Sequence, residues 1–177
     1  MVKIVDYESF LKSILDYLIY GETEISSDDS VAFNRVFKAL KIYESKHYRC
    51  FLELSLKIEF MFHKRDQRNL TDIDWLLLVF EDICDKVVKE PSWTSFIIVL
   101  NVVKIIIMSA KNTLSNNDYQ NFENFLTQAG FKILDKKFRK FITEKCCVGS
   151  KIDAGQIIIG CLFIFFLSAI GFHVLFN

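Results

Sequence analysis

Residues 93–108 restrict the fold of this chain more than any other segment, because they run almost without a polar position. They read WTSFIIVLNVVKIIIM, and Asn101 and Lys104 are the only strongly polar side chains after the first turn. A helix on a protein surface keeps one polar face, whereas this segment is apolar nearly all round. About sixteen residues is also too long for a buried strand. We therefore predict a central helix covered by its neighbours, with Ser92 as its N-cap directly after Pro91.

The chain before this segment shows helical periodicity. Apolar side chains recur every three or four positions from Ile4 to Leu18, and Gly21 is placed to end that helix. Ser30 is predicted to cap a second helix. The apolar pattern then continues to Phe62 with a break, which predicts two short helices rather than one long helix.

Charged and polar segments separate the remaining helices. Residues 63–69 are predicted to form a charged loop, and Thr71 or Asp72 can cap the helix that follows it. Residues 116–118 are predicted to form another loop, followed by helices at about 119–129 and 131–144. No hairpin or repeat pattern is present. The predicted fold class is all-α, with about seven helices in a globule around a hydrophobic central helix.

A second apolar run, residues 156–176, carries no formal charge. As a helix rising about 1.5 Å per residue it would be about 31 Å long, close to the ~30 Å hydrocarbon core of a bilayer. A buried core helix is the alternative, but the run has no polar face. We predict a helical domain at 1–145 on the cytosolic side, a linker at 146–153 and a C-terminal transmembrane tail anchor at 154–177. The anchor positions singled out are Gln156, Ile157, Ile158, Leu162, Phe163, Phe165, Phe166, Leu167, Phe172 and Phe176.

Basic residues precede the apolar run. They are Lys132, Lys136, Lys137, Arg139, Lys140, Lys145 and Lys151, against Asp135, Glu144 and Asp153. Such a flank stays on the cytosolic side of a membrane and can favour anionic headgroups, although a solvated helix face explains residues 132–140 equally well. Cys146 and Cys147 lie close enough to the run for palmitoylation, which the sequence leaves open.

Residues typical of catalysis are scattered. The five cysteines form no metal-ligand spacing, and the three histidines are far apart in sequence. No glycine-rich phosphate loop, HExxH motif or glycine-flanked serine occurs. The formal net charge is zero, so no overall field favours nucleic acid. We expect neither an enzyme nor a metal, cofactor or nucleic-acid site.

An all-α globule with an apolar central helix can leave a groove between its outer helices. Such a groove accepts an amphipathic partner helix through apolar anchors at i, i+3 or i+4, and i+7. One wall is predicted to hold Tyr43, His47, Phe51 and Leu54, and the other Ile83 and Val87. The alternative that each of these residues is ordinary core stays open.

Residues 43–58, YESKHYRCFLELSLKI, resemble the segment between the second and third helices of Bcl-2 family apoptosis regulators. The family pattern there is Phe-Glu-x-Arg-(Phe/Tyr)-Arg-Arg-x-Phe-Ser-Asp-Leu. Identical or similar residues stand at Tyr43, Glu44, Lys46, Arg49, Phe51, Glu53 and Leu54. His47 stands where the family usually has an aromatic groove residue.

The start of the central segment is similar to the family's first homology region, Asn-Trp-Gly-Arg. Trp93 matches, while Ser92, Thr94 and Ser95 replace Asn, Gly and Arg. The replaced arginine usually pairs with an aspartate of the bound helix, and Ser95 offers at most a weaker, neutral hydrogen bond. Residues 125–131, FLTQAGF, are similar to the second homology region.

The resemblance implies an inhibitor of cell death encoded by a virus. Leu40 and Lys41 stand where the third homology region has a Gly-Asp pair, and the eroded motifs and small size look like a poxviral homologue. The implied function is capture of the BH3 helices of host pro-apoptotic proteins (Bak, Bax and BH3-only proteins) at the mitochondrial outer membrane. The implied groove contains Tyr43, His47, Phe51, Leu54, Ile83, Val87, Trp93, Thr94, Ser95 and Ile98.

Other readings of the same fold stay open. Poxviral relatives also include adaptors that inhibit innate immune signalling through an outer helix face, with the groove closed. An endoplasmic reticulum location is the alternative to mitochondria, because the distal side of the apolar run offers only His173 and Asn177 rather than basic residues. A homodimer is possible, and the sequence does not decide it.

Overall fold

The computed structural model describes residues 4, 6–24, 29–64, 80–81, 84–85 and 88–145. Within these residues six α-helices have defined bounds, and no strand occurs. They are α1 (Tyr7–Tyr20), α2 (Ser30–Lys46), α3 (Tyr48–Lys64), α4 (Trp93–Thr113), α5 (Asn116–Phe125) and α6 (Phe131–Lys145), with a π-helical segment, Leu126–Gly130, between α5 and α6. The all-α prediction is confirmed for this part of the chain.

Helix α4 lies at the centre of the globule, as predicted. It contacts α1, α2, α3 and α5, and Phe96 near its start contacts Phe138 of α6 with ring centroids 5.0 Å apart. Its buried positions extend from Thr94 to Ala110 and occupy every face of the helix. Among the described residues α4 is the one helix long and apolar enough to cross a membrane, yet 83% of its apolar window is buried inside the protein. It is therefore the core of the fold.

The two strongly polar side chains within the apolar part of α4 are both satisfied. The buried amide of Asn101 donates a hydrogen bond to the carbonyl of Ile97 at 2.9 Å. The ammonium of Lys104 reaches Glu44 of α2 at 2.7 Å, at the partly exposed edge of the core. An unpaired amide or charge in this position would oppose burial, so these contacts let an otherwise apolar helix hold polar residues.

Capping residues set two of the helix ends as predicted. The hydroxyl of Ser92 accepts from the backbone N–H of Ser95 at 3.1 Å, and the hydroxyl of Ser95 accepts from the N–H of Ser92 at 2.9 Å. This reciprocal capping box fixes the start of α4. Gly21 ends α1 with φ of 80°, and its N–H donates to the carbonyl of Tyr17 at 2.9 Å. A left-handed conformation of this kind favours glycine because it has no Cβ.

The boundaries of α2 and α3 differ in detail from the prediction. Asp29 occupies the N-cap position of α2, and Ser30 is the first helical residue rather than the cap. The predicted break lies at His47, whose N–H donates to the carbonyl of Tyr43 at 3.0 Å. The predicted loop at 63–69 is wrong at its start, because α3 continues through Lys64.

The predicted loop at residues 116–118 is also wrong, because α5 begins at Asn116. Its N-cap is Ser115, whose hydroxyl accepts from the N–H of Asp118 at 3.3 Å and contacts the Asp118 carboxylate at 2.6 Å. Serine, asparagine and aspartate favour both turns and helix starts by the same side-chain hydrogen bonds. The pattern therefore marks a boundary here without showing on which side of it the residues lie.

Helix α6 packs against α1 and the first turns of α4. Besides the Phe96–Phe138 contact, the rings of Trp93 and Phe141 lie 5.6 Å apart. On the outside, Arg139 reaches Glu8 of α1 and Asp135 of its own helix, each at 2.7 Å. The predicted linker at 146–153 and tail anchor at 154–177, together with the predicted cap at Thr71 or Asp72, lie outside the described residues.

Candidate functional site

Three residues of the predicted groove form an aromatic cluster where α2 turns into α3. The ring of Tyr43 lies 4.6 Å from that of His47 and 5.6 Å from that of Phe51, measured between centroids. Tyr43 and Phe51 are buried, whereas His47 is only partly covered. Partial burial and the neighbouring charge of Lys46 lower the pKa of His47. The cluster therefore stabilises the turn between α2 and α3 and leaves the ring of His47 partly exposed to solvent.

The other predicted groove residues in the described part of the chain are also covered. Leu54 and Ile98 belong to the hydrophobic core, and Thr94 and Ser95 are buried in the first turn of α4. The Ser95 hydroxyl is occupied by the capping box, so it is already satisfied without a partner protein. Trp93 packs on Phe96 and Phe141, which places its ring against α6. Ile83 and Val87 lie outside the described residues.

Helix α3 has a second apolar face that points to solvent. Tyr48 is 63% exposed, Leu52 45% and Leu56 57%, and these three residues at four-residue spacing are here named the α3 stripe. Phe60, one turn further on, is 42% exposed. Three large side chains about half exposed present roughly 300 Å² of apolar surface, which is comparable to the largest patch on a typical monomer. Such patches commonly mark contact sites.

The inner face of α3 holds the helix rigidly beneath this stripe. Phe51, Leu54 and Ile58 recur at three and four residues and are buried against the core. The hydroxyls of Ser55 on α3 and Ser109 on α4 lie 3.3 Å apart, which fixes how α3 crosses the central helix. α3 also makes its most extensive helix contact with α4. The α3 stripe is therefore a supported surface.

Charged side chains border the α3 stripe. Arg49 and Glu53 are exposed on one flank, one helical turn apart. No carboxylate of the described residues lies within salt-bridge distance of Arg49. A polar rim around an apolar centre is the usual arrangement of a protein interface. Arg49 can therefore receive an acidic side chain of a bound partner.

We did not predict the α3 stripe, although its signal is present in the sequence. Apolar residues occur at 48, 52 and 56 in addition to 51, 54 and 58, so α3 is apolar on two faces. A helix that buries only one face does not need the second set. The excess of apolar positions was the available sign of a contact surface.

A concave surface lies between α1 and α2. Its volume is about 550 Å³ and its floor is a cluster of rings, with Phe37 4.3 Å from Tyr17 and 4.5 Å from Phe33 between centroids. Lys38 and Lys41 stand at its rim. The volume lies in the range of small-ligand pockets. However, five of its eight lining residues are polar or charged (Glu22, Thr23, Asn34, Lys38 and Lys41), so it suits an apolar partner helix less well than the α3 stripe.

Chemistry-bearing side chains in the described residues do not gather into a site. No group of three or more His, Cys, Asp and Glu side chains is placed to hold a metal ion there. Burial raises the pKa of the Cys84 thiol to about 12, so this cysteine is protonated at neutral pH and is a poor nucleophile.

Comparison of the chain with protein-family models, with curated proteins and with solved structures finds no match.

Proposed function

We propose that this protein is a Bcl-2-like inhibitor of host apoptosis, encoded by a virus, that captures the BH3 helices of pro-apoptotic proteins. Bak, Bax and BH3-only proteins are the expected partners. The observation that carries the proposal is the α3 stripe, a supported apolar surface whose three residues lie within the resembling segment at residues 43–58. The all-α arrangement around a buried apolar helix is the architecture that the resemblance leads us to expect.

The partner helix would lie along α3 and bury its own apolar stripe. Residues at i, i+3 or i+4, and i+7 of an amphipathic helix advance by about one turn each, which matches Tyr48, Leu52 and Leu56. Arg49 would pair with an acidic residue of that helix. Phe51 and Leu54, which we first assigned to direct contact, would instead form the rigid layer beneath.

The location we propose is the cytosolic face of the mitochondrial outer membrane, with residues 154–177 as a single-pass anchor. The support is the length and apolar composition of residues 156–176 alone. The endoplasmic reticulum is the competing membrane. Imaging a fluorescent protein fused to residues 145–177 distinguishes them: mitochondrial signal supports the proposal, and reticular signal contradicts it.

The test of helix capture is a binding titration with the full chain in lipid nanodiscs. Fluorescently labelled BH3 peptides from a complete panel are titrated and followed by anisotropy. We expect at least one peptide to bind with a Kd below about 10 μM, or about −7 kcal/mol. Leu56→Asp should weaken it at least about tenfold by placing a charge in the contact. Ile42→Asp is the matched control, since Ile42 is an exposed apolar residue on α2.

Absence of binding across the whole panel would refute helix capture. Equal weakening by Ile42→Asp would show that added negative charge, and not the α3 stripe, is responsible. Circular dichroism of each variant shows whether the helical fold is kept.

One observation favours a second function, an adaptor that inhibits innate immune signalling through an outer helix face. Tyr43, Phe51 and Leu54 are buried, and the large exposed apolar residues of α3 lie on its outer side. Both functions use the α3 stripe, so the peptide panel separates them. A chain that binds no BH3 peptide but loses its cellular inhibitory activity on Leu56→Asp would be an adaptor.

A further inference from the structure

The five cations of α6 within residues 131–143 fall into two classes. Lys137 forms an ion pair with Asp85, and Arg139 with Glu8 and Asp135. In contrast, Lys132, Lys136 and Lys140 are exposed, and no carboxylate that the structure describes within residues 4–143 lies within salt-bridge distance of them, although Lys136 contributes to lowering the pKa of Asp85. These three lysines are here named the α6 lysine stripe.

The α6 lysine stripe lies on one face of its helix. Residues four apart on an α-helix are separated by about 40° around the axis and about 6 Å along it. Lys132 and Lys140 are therefore about 12 Å apart, and the three ammonium groups can reach a common plane on their flexible stems. A single phosphate or carboxylate cannot contact all three. The arrangement suits an extended anionic surface.

The charge of the chain is distributed unevenly. Its formal net charge is zero, yet residues 131–143 contain five cations and one carboxylate. The paired cations Lys137 and Arg139 hold α6 against neighbouring segments, so they fix the direction in which the α6 lysine stripe faces. The α6 lysine stripe is thus a local positive surface on a protein whose formal net charge is zero. Residues 156–176, the apolar run, follow α6 within a short distance in the sequence, which favours a lipid surface over nucleic acid.

We propose that the α6 lysine stripe binds the headgroups of an anionic phospholipid bilayer. Each lysine near such a surface raises partitioning about fivefold, so the three together account for a preference on the order of 100-fold over a neutral bilayer. The interaction is electrostatic and weakens as salt shortens the screening length. Lipid contact at α6 needs no partner protein.

The same contact would orient the α3 stripe, a consequence that depends on the proposed helix capture. Phe96 of α4 meets α6, and Ser109 of α4 meets α3. Thirteen residues separate these positions, which corresponds to roughly 140° around the axis of α4. Helices α6 and α3 therefore cover nearly opposite sides of the core. A protein lying on the bilayer through α6 presents the α3 stripe to the cytosol.

The test compares vesicles of phosphatidylcholine with vesicles that also contain about 30% phosphatidylserine, using the full chain. Any affinity that residues 156–176 add is common to both, so the ratio of the two vesicle partition coefficients isolates the lysines. We expect the triple variant Lys132→Gln, Lys136→Gln, Lys140→Gln to lose most of an anionic preference on the order of 100-fold. The matched control, Lys12→Gln, Lys46→Gln, Lys111→Gln, removes the same charge from three other helices and should keep the preference.

Three outcomes would overturn the proposal. A triple variant that keeps the anionic preference shows that other residues bind the lipid. A control triple that loses as much shows an effect of net charge. Loss of wild-type binding in inorganic phosphate, but not in chloride of equal ionic strength, shows a discrete phosphate site. BH3-peptide binding by the α6 triple variant is measured in parallel, and its retention keeps failure of lipid binding distinct from failure of helix capture.

Discussion

Leu54 and Leu56 allow the two faces of α3 to be compared by making the same substitution, Leu→Ala, at each position in turn. They lie two residues apart on the same helix, yet Leu54 is 9% exposed and Leu56 57% exposed. Leu→Ala changes helix propensity little, so a difference between the two variants reports packing. Leu54→Ala removes side-chain atoms from the α3–α4 contact and leaves a cavity, whereas Leu56→Ala removes atoms that water already surrounds.

The expected magnitudes are well separated. Buried Leu→Ala changes cost 2.7–5.0 kcal/mol in a well-studied series, and the slight exposure of Leu54 places it near the lower end, at about 3 kcal/mol. Leu56→Ala should change the free energy of unfolding by no more than about 0.5 kcal/mol. For a chain of this size about 3 kcal/mol lowers Tm by roughly 9 °C.

The assay is thermal unfolding of the full chain in nanodiscs, followed by far-ultraviolet circular dichroism. BH3-peptide affinity is measured on the same samples at a temperature where both variants are folded. We expect the two variants to differ in opposite ways. Leu54→Ala should lower Tm and leave the affinity for BH3 peptides unchanged, whereas Leu56→Ala should leave Tm unchanged and lower that affinity. Equal losses of Tm would show that α3 packs with a different face, and the reasoning about the α3 stripe would then fail.

Three further predictions concern the helix ends and His47. Ser92→Ala should destabilise the fold by about 1 kcal/mol, seen as a lower Tm, because the Ser95 N–H loses its acceptor. Gly21→Ala should cost about 1 kcal/mol by the same measurement through backbone strain alone, since no atom lies within 4 Å of the added Cβ. Because the folded-state pKa of His47 is lowered, its contribution is present above its ordinary pKa near 6.5 and lost as pH falls below it. A small loss of Tm between about pH 7 and pH 5 should therefore disappear in His47→Gln.

The sequence was sufficient to predict the centre of the fold because the pattern there admits one solution. A segment that is apolar on all faces must be surrounded, and Pro91 with Ser92 marks where it starts. Gly21 is a similar case, since the left-handed end of α1 favours glycine. At these positions the local preference agrees with the tertiary structure.

The faces of α3 could not be assigned in the same way. Its apolar residues form two sets, and helical spacing alone does not tell which set packs against α4. The choice depends on the crossing of α3 and α4, which is fixed by contacts such as that between Ser55 and Ser109. The packing of Trp93 could not be predicted from local spacing either, because its ring contacts Phe141, a residue almost fifty positions away in sequence.

The buried state of Tyr43, Phe51 and Leu54 changes what a helix-capturing site on this chain requires. A groove lined by these residues would have to open by separating α2 and α3 from α4, which exposes core. The α3 stripe needs no such opening, because its apolar surface is already in solvent. Capture on the outer face of α3 therefore avoids the free-energy cost of disrupting the core, and the core in turn keeps the stripe in one conformation. A rigid preformed surface loses less conformational entropy on binding, so the same contacts yield a higher affinity.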